Sequence, residues 1–187
     1  WAFIEALRQV AVWRQTIDPN FQISVNKSPV QIFNEANKSK DGFLNWATYM
    51  SEHNFPADCI AVEITEGLLL DPNNAVLNYL LEFRDAGIQV ALDDFGTGYS
   101  SLSYLKKFDI DYIKIDRSFV QDMEFDSDNM VLCDAIIAMA HKLKLKVIAE
   151  GIETQEQLDL LKITGCDFGQ GYFFSKPISP EEFEKFT

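Results

Sequence analysis

Two adjacent carboxylates, Asp93 and Asp94, follow an apolar run in the stretch ALDDFGTGYSSL, residues 91–102. Carboxylate oxygens are the ligands that Mg²⁺ and Mn²⁺ prefer in proteins. In a two-ion site, Asp93 would bridge the ions and Asp94 would complete the second one. Two cations a few ångströms apart form a clamp for in-line displacement at phosphorus, so the pair predicts metal-assisted hydrolysis of a phosphate ester.

Strand periodicity places further charges on the side of the sheet that faces away from the helices. Glu63 lies between two apolar residues in VEI, and Lys114 does so in IKI. Because successive side chains of a strand face opposite ways, Glu63, Lys114, Asp93 and Asp116 are expected to point into the interior. Each of the six predicted strands carries at least one polar residue within it or at its C-terminal end. These residues are Asn26, Glu63, Asp93, Asp94, Lys114, Asp116, Glu150 and Gln170.

Interior charges are unfavourable unless they are paired or bind a metal. One alternative is a structural ion network in which Lys114 pairs with two or three carboxylates. The acids outnumber this single lysine, and their excess charge favours a divalent cation with oxygen ligands. In such a site Lys114 would hold or help to deprotonate an attacking water, or offset charge in the transition state.

The glycines of FGTGYSS, Gly96 and Gly98, admit two interpretations. One is a tight turn into a following helix. The other is a mobile loop whose position decides whether the two adjacent carboxylates are arranged for metal. Glu66 could anchor this loop through hydroxyl or backbone N–H groups, or be a surface acid before the next helix.

Six β-rich segments alternate with helical segments. The predicted strands are 21–26, 59–65, 88–95, 111–116, 145–151 and 167–174. The predicted helices are 1–15, 29–53, 71–87, 100–107, 128–143, 154–165 and 179–186. This alternation predicts parallel pairing and fits either a doubly wound sheet or a (β/α)8 barrel. Polar residues at nearly every strand end favour the barrel, whose active site lies at that rim, over a sheet with one switch point.

The expected fold is therefore an α/β fold, most of a modified (β/α)8 TIM-type barrel that lacks about two N-terminal strands. Residues 1–187 are expected to form one domain. The chain begins directly with an amphipathic helix, WAFIEALRQVAVWRQ, without a capping residue, which is typical of a fragment.

The composition argues against several other classes of protein. A formal net charge of −13 disfavours nonspecific binding to DNA, RNA or anionic lipid. Three widely spaced cysteines and two histidines without partners at ligand spacing disfavour a disulfide framework and a zinc site. No apolar run is long enough to span a bilayer, so we expect a cytoplasmic domain, which a segment outside this chain could tether to a membrane.

The motifs SVN, VEITE, LDDFGTGYSSLSYL, IKIDRSFV, IAEGIET and GQGYFFSKP occur in this order along the chain. In this combination the chain resembles the EAL domain family, the cyclic di-GMP phosphodiesterases of bacterial signalling proteins. The resemblance covers essentially all 187 residues. It implies a modified (β/α)8 barrel that hydrolyses cyclic di-GMP to linear pGpG with Mg²⁺ or Mn²⁺, with two ions expected.

The resemblance also implies a set of metal ligands. Asn26, Glu63 and Asp93 would hold the first ion, and Asp93, Asp94 and Glu150 would hold the second. Lys114 corresponds to the family's lysine at the nucleophilic water, and Lys114 and Glu150 are the residues predicted to be catalytic. Further roles are implied for Glu66, which fixes the loop, and for Asp116, Glu153 and Gln170 as substrate-contacting or supporting residues.

The resemblance departs from the family pattern at the start of the chain. The family's Glu-Ala-Leu motif lies on an early strand and supplies a metal-binding glutamate, whereas the IEAL of residues 4–7 lies in the predicted helix. We expect the isolated chain to be weakly active at best and to expose strand edges that promote aggregation. The resemblance further implies a homodimer and an N-terminal sensory or GGDEF domain in the full protein.

Two other functions stay open. The first is a catalytically inactive member of the same fold that binds cyclic di-GMP, or a protein partner, without turnover. The second is an unrelated metal-dependent barrel enzyme. Catalysis is favoured because every site position that the chain covers carries the expected residue type.

Overall fold

A computed structural model describes residues 1–37, 45–69, 74–98, 105 and 108–186. Within these residues the strands are β1 Ile23–Asn26, β2 Ile60–Thr65, β3 Gln89–Phe95, β4 Tyr112–Ile115, β5 Lys146–Ala149 and β6 Phe168–Gly169. The α-helices are α1 Ala2–Thr16, α2 Pro29–Asn37, α3 Trp46–Glu52, α4 Asn74–Asp85, α5 Arg117–Gln121, α6 Asp128–Lys142, α7 Gln155–Ile163 and α8 Pro180–Phe186. Short 3₁₀ helices at Ala57–Cys59 and Glu66–Leu69 flank β2.

The six strands form one sheet in which each strand pairs in parallel with the next along the chain. The first and last helices meet, because Trp13 Nε1 donates to Glu184 Oε1 over 3.0 Å and the Trp13 ring packs on Phe183. The sheet therefore curves into a half-barrel. The predicted alternation of strands and helices and the parallel pairing are confirmed.

Alternation along the strands sorts apolar from charged residues. Val62, Ile64, Leu92 and Ile113 are at most 1% exposed and belong to a single hydrophobic core between the sheet and the helices. Each such side chain contributes about 1.5–3 kcal/mol through burial. This layer fixes the register of the strands, so their polar residues must emerge on the opposite, inner face.

Local capping signals position the helices around the sheet. The predicted capping box of Thr154 and Gln157 is present at the start of α7, and Ser179 and Glu182 exchange the same bonds at α8. Gly87 follows α4 with φ of +76°, as expected for a helix stop. The predicted cap of α4 at residues 71–72 lies outside the described residues. Of the predicted helix 100–107, only residue 105 is described. The predicted helix 29–53 is two helices, α2 and α3.

The prediction of a strand over 167–174 is wrong beyond Gly169. A Cβ on Gly171 would lie 2.1 Å from the carbonyl oxygen of Ile152, so the backbone crosses that loop at close range. Phe173 N–H donates to Ile152 O and Phe174 N–H to Gly171 O. The bond from Phe174 to Gly171 closes a turn, and β6 ends after two residues.

Among the residues that the structure describes, no helix combines the length and apolar character needed to cross a membrane.

Candidate active site

Lys114 lies at the centre of an acidic cluster formed by β2, β3 and β5. Its Nζ atom is 2.9 Å from Glu63 Oε2, 3.0 Å from Asp93 Oδ1 and 2.6 Å from Glu150 Oε1. The Lys114 side chain is 3% exposed, so these charge-assisted hydrogen bonds are shielded from water. Four parallel strands therefore bring their charges to one rim of the half-barrel.

Glu63 and Glu150 keep Lys114 charged. Burial by itself would lower the pKa of Lys114, but the hydrogen bonds that its ammonium donates to Glu150 and Glu63, and the negative charges of these two carboxylates, raise the pKa above its usual range. Burial also raises the pKa of Glu150, while the neighbouring Lys114 ammonium acts to lower it. In this arrangement Lys114 is a hydrogen-bond donor without a lone pair to accept a proton.

A bulge in β3 explains how two consecutive carboxylates serve one site. Between the paired residues of β3 and β4, Asp93 and Asp94 together oppose the single residue Lys114. Asp94 takes up the additional residue with φ of +56°, a conformation that aspartate adopts more readily than most residues. In a regular strand the two side chains would face opposite ways.

The carboxylates of Asp93, Asp94 and Glu150 lie close enough to share a cation, with one oxygen of each within 4.8 Å of the others. Burial, followed by the negative charges of Asp93 and Asp116, raises the pKa of Asp94. With Glu63 included, four carboxylates surround one lysine. This donor set of hard oxygens with an excess of negative charge fits Mg²⁺ or Mn²⁺.

Asn26 lies at the edge of this cluster. It is the parallel partner of Glu63 across β1 and β2, and partners in a parallel ladder project from the same face of the sheet. Asn26 is exposed, whereas Glu63 is 7% exposed. The amide is therefore placed beside Glu63 on the inner face, where it was predicted.

Glu66 is buried against the glycine-rich turn. It is 3% exposed, and its Oε2 atom accepts a hydrogen bond of 3.0 Å from the backbone N–H of Gly96. A Cβ on Gly98 would lie only 2.8 Å from Glu66 Oε1. Glu66 is thus no surface acid, and its position fits the predicted loop anchor. Residues 99–104 of the same motif lie outside the described residues.

Asp116 has a local structural role that the sequence analysis missed. It follows β4, and its carboxylate accepts a 3.0 Å hydrogen bond from Ser118 N–H as the N-cap of α5. The helix itself was not predicted, and the predicted strand 111–116 ended at Asp116. Asp116 remains close enough for its charge to raise the pKa of Asp94.

Gln170 and Glu153 lie on the β5–β6 side of the cluster. Gln170 Nε2 donates to Glu150 Oε1 over 2.6 Å, so it shares that oxygen with Lys114. Glu153 is exposed and lines the same cleft without contacting Glu150 in the bonds described. The direct contact of Gln170 with Glu150 supports its predicted role. The predicted role of Glu153 is supported only by its position in the same cleft.

A cleft of about 640 Å³ opens beside Glu150 and Gln170. Sequence reasoning missed several of its side chains, among them Arg117, Tyr172, Phe174 and Lys176. The signal was present in the GQGYFFSKP motif. Its aromatic residues Tyr172 and Phe174 were assigned to a strand but lie in a turn at the mouth of the site.

Comparison with known proteins identifies the family. The model of the EAL domain matches residues 1–177. The chain belongs to the EAL domain family. Cyclic di-GMP phosphodiesterase PdeR of Escherichia coli is 38% identical over 185 residues, which are 99% of this chain and 27% of PdeR. The chain spans about a quarter of the length of the curated relatives that it matches.

Solved structures of EAL proteins share the fold of this EAL domain. The PaMucR phosphodiesterase in complex with c-di-GMP superimposes with a TM-score of 0.86 at 33% identity, over 98% of this chain and 77% of that one. Klebsiella pneumoniae BlrP1 in a manganese and cy-diGMP complex gives a TM-score of 0.75 at 26% identity, over 94% of this chain and 45% of BlrP1.

Proposed function

We propose that the protein is a cyclic di-GMP phosphodiesterase that hydrolyses its substrate to linear pGpG with Mg²⁺ or Mn²⁺. The main support is the cluster in which Glu63, Asp93, Asp94 and Glu150 surround Lys114 at one rim. A relative that shares 38% identity over 99% of this chain is named as a phosphodiesterase of this kind.

We assign Asn26, Glu63 and Asp93 to a first metal ion and Asp93, Asp94 and Glu150 to a second. Bound there, the ions would activate a water molecule and stabilise the leaving oxygen of the phosphodiester. The bulge at Asp94 supports this assignment because it turns a second carboxylate toward the cluster. The manganese complex of BlrP1, a member with the same fold, agrees with this choice of metal.

Lys114 is proposed to orient the attacking water and to offset negative charge at phosphorus. Its ammonium is an effective donor because Glu63 and Glu150 keep it protonated. It would accept a proton only after those carboxylates had turned to other partners. Glu150, which contacts both Lys114 and Gln170, is proposed to hold this arrangement together.

The cleft beside Glu150 is proposed to receive the cyclic dinucleotide. Its volume of about 640 Å³ suits a ligand of that size. Arg117 and Lys176 offer positive charge for phosphate, and Tyr172 and Phe174 offer aromatic faces on which guanine bases stack. These cations offset the acidic character of the chain where a dianionic substrate must enter.

The fold and the comparisons also support a proposal about assembly. We propose that residues 1–187 are one EAL domain whose half-barrel is completed to a (β/α)8 barrel by strands outside the described residues. A sensory or GGDEF domain would precede it in a cytoplasmic or membrane-tethered protein. We propose a homodimer, for which Val131 and Leu132 of α6 and Leu143 at its C-terminal end offer exposed apolar side chains, and sedimentation of the full-length protein tests that state.

The test of the proposed activity uses the full-length protein with cyclic di-GMP and Mg²⁺ or Mn²⁺, and detects pGpG by chromatography. Wild type should form pGpG, and Lys114→Ala and Asp93→Asn should not. Asp134→Asn, on the exposed face of α6, is the control and should retain the wild-type rate. Binding without turnover would indicate the receptor function instead, and the absence of both binding and turnover would refute the proposed activity and favour a protein-interaction role.

A further inference from the structure

Lys27 is a charged residue for which the proposed mechanism has no use. It follows Asn26 at the end of β1, and its side chain is 0% exposed. Among the described residues it is the most deeply buried charged side chain, deeper than Lys114. A buried ammonium is unfavourable without specific partners, so its surroundings show what holds it there.

Three side chains from three helices enclose the Lys27 ammonium. Nζ lies 2.8 Å from Glu35 Oε2 on α2 and 3.8 Å from the centre of the Trp46 ring on α3. The hydroxyl of Tyr79 on α4 donates to the same Glu35 oxygen. These residues, Glu35, Trp46 and Tyr79, form what we call the Lys27 cage.

The Lys27 cage is itself rigidly held. Phe3 of α1 stacks on Trp46, with ring centres 4.2 Å apart and nearly parallel planes. The same Trp46 ring also contacts the Lys27 ammonium. Tyr79 and Trp46 are 5% and 7% exposed. The cage therefore ties the end of β1 to α1, α2, α3 and α4 at once.

The backbone connects this cage to the site. Lys27 N–H donates to Glu63 O over 2.8 Å, which extends the ladder that places Asn26 beside Glu63. Val25 and Lys27 face the helices, and alternation sends Asn26 between them to the inner face.

We propose that Lys27 is a positioning residue, which fixes the carboxyl end of β1 so that Asn26 is held beside Glu63 for metal binding. The inference rests on the proposed function in that it takes Asn26 to be a metal ligand. Lys27 acts through the ion pair with Glu35 and through its backbone bond to Glu63. It has no contact with substrate in this role.

The experiment measures Mn²⁺ affinity of the full-length protein by titration calorimetry, without substrate. Lys27→Met should weaken Mn²⁺ binding about tenfold, as expected when a group that orients a ligand is lost. Leu161→Ala, a buried change in α7 remote from the cluster, is the control for lost stability. It should lower Tm and leave Mn²⁺ affinity unchanged.

A double-mutant cycle with Asn26→Ala tests the route of the effect. If Lys27 acts through Asn26, Lys27→Met adds no further loss of Mn²⁺ affinity in the Asn26→Ala background. Additive losses, or wild-type affinity in Lys27→Met, would overturn the inference while leaving the proposed function intact. Absence of Mn²⁺ binding in wild type would overturn both.

Should Lys27→Met not fold, Glu35→Gln carries the same test. It keeps the size of the side chain and its bond to Tyr79 but removes the charge that pairs with Lys27. Weaker Mn²⁺ binding with a cooperative thermal transition supports the inference, and wild-type affinity overturns it.

Discussion

Asp94 follows Asp93 directly in the chain, yet both carboxylates face the same cluster because Asp94 occupies a bulge with φ of +56°. A regular strand would have sent one of them toward the helices. The bulge thus creates a pair of adjacent ligands from a sequence that would otherwise supply one. The arrangement brings like charges together, and its cost should be measurable.

Asp94→Asn should stabilise the metal-free protein at neutral pH. Burial and the charges of Asp93 and Asp116 raise the pKa of Asp94, so the ionised form is disfavoured in the folded state. Replacing it should raise Tm by about 2 °C at pH 7, as is common when a strained functional charge is removed. Thermal unfolding monitored by circular dichroism measures this change.

The pH dependence and the metal response of Asp94→Asn follow from the same shift. A carboxyl group whose pKa is raised in the folded state stabilises the fold fully at pH values below its ordinary pKa of about 3.9. This stabilisation is lost as the pH rises through the raised pKa. The Tm difference should therefore vanish near about pH 3 and reverse with saturating Mn²⁺, which stabilises wild type more. Asp134→Asn is the control, and a lower Tm for metal-free Asp94→Asn at pH 7 would contradict the argument.

Lys114→Met should separate metal binding from turnover. Lys114 now occupies the carboxylates of Glu63, Asp93 and Glu150, so it competes with any cation for them. The variant should bind Mn²⁺ more tightly than wild type and lose about 10²–10⁴-fold in turnover. Calorimetry and pGpG formation measure the two effects, and weaker Mn²⁺ binding would show that Lys114 organises the ligands instead of competing.

Much of this site was predictable because its signals are local. The alternation in VEI and IKI predicted that Glu63 and Lys114 lie on the same face of neighbouring parts of the sheet, and in the structure Lys114 Nζ is 2.9 Å from Glu63 Oε2. Capping residues such as Thr154 predicted helix starts, because a cap bonds within its own first turn. Parallel order followed from strand and helix alternation alone.

The features that were missed depend on contacts between distant segments. The short β6 results from the contact of Gly171 with Ile152. The bulge at Asp94 results from the pairing of β3 with β4. Neither contact can be predicted from the local sequence pattern. The burial of Lys27 depends on Glu35 and Tyr79, which lie on separate helices. Lysine is rarely fully buried, and no feature of the local sequence distinguished Lys27 from a surface residue.

Gly98→Ala should disturb the loop without unfolding the protein. The added Cβ would lie 2.8 Å from Glu66 Oε1, the far end of a side chain that can turn away. That movement would break the bond from Gly96 N–H to the buried Glu66, so turnover should fall about tenfold and Tm should fall by a few degrees while thermal unfolding stays cooperative.

Gly67→Ala is the matched control for this loop variant. Gly67 is the neighbour of Glu66 in the chain, and a Cβ there meets no atom within 4 Å. It should retain wild-type turnover. Equal rates for both alanine variants would show that the contact of Glu66 with the glycine-rich turn has no part in activity.

Asp116→Asn should preserve the cap of α5 and change the acidity of the site. Although burial acts to raise the pKa of Asp116, hydrogen bonds from Ser118 and the backbone lower it. Its cap therefore contributes stability above the ordinary value of about 3.9, which is lost as pH falls through the lowered pKa.

Asparagine caps helices about as well as aspartate but lacks the charge, so Asp116→Asn should be less destabilising at pH 7 than Asp116→Ala, which should lose about 1 kcal/mol. Removing the Asp116 charge should also lower the pKa of Asp94, and carboxyl NMR titration of the metal-free protein measures that change. An unchanged pKa of Asp94 in Asp116→Asn, or equal destabilisation by asparagine and alanine, would contradict the two roles assigned to Asp116.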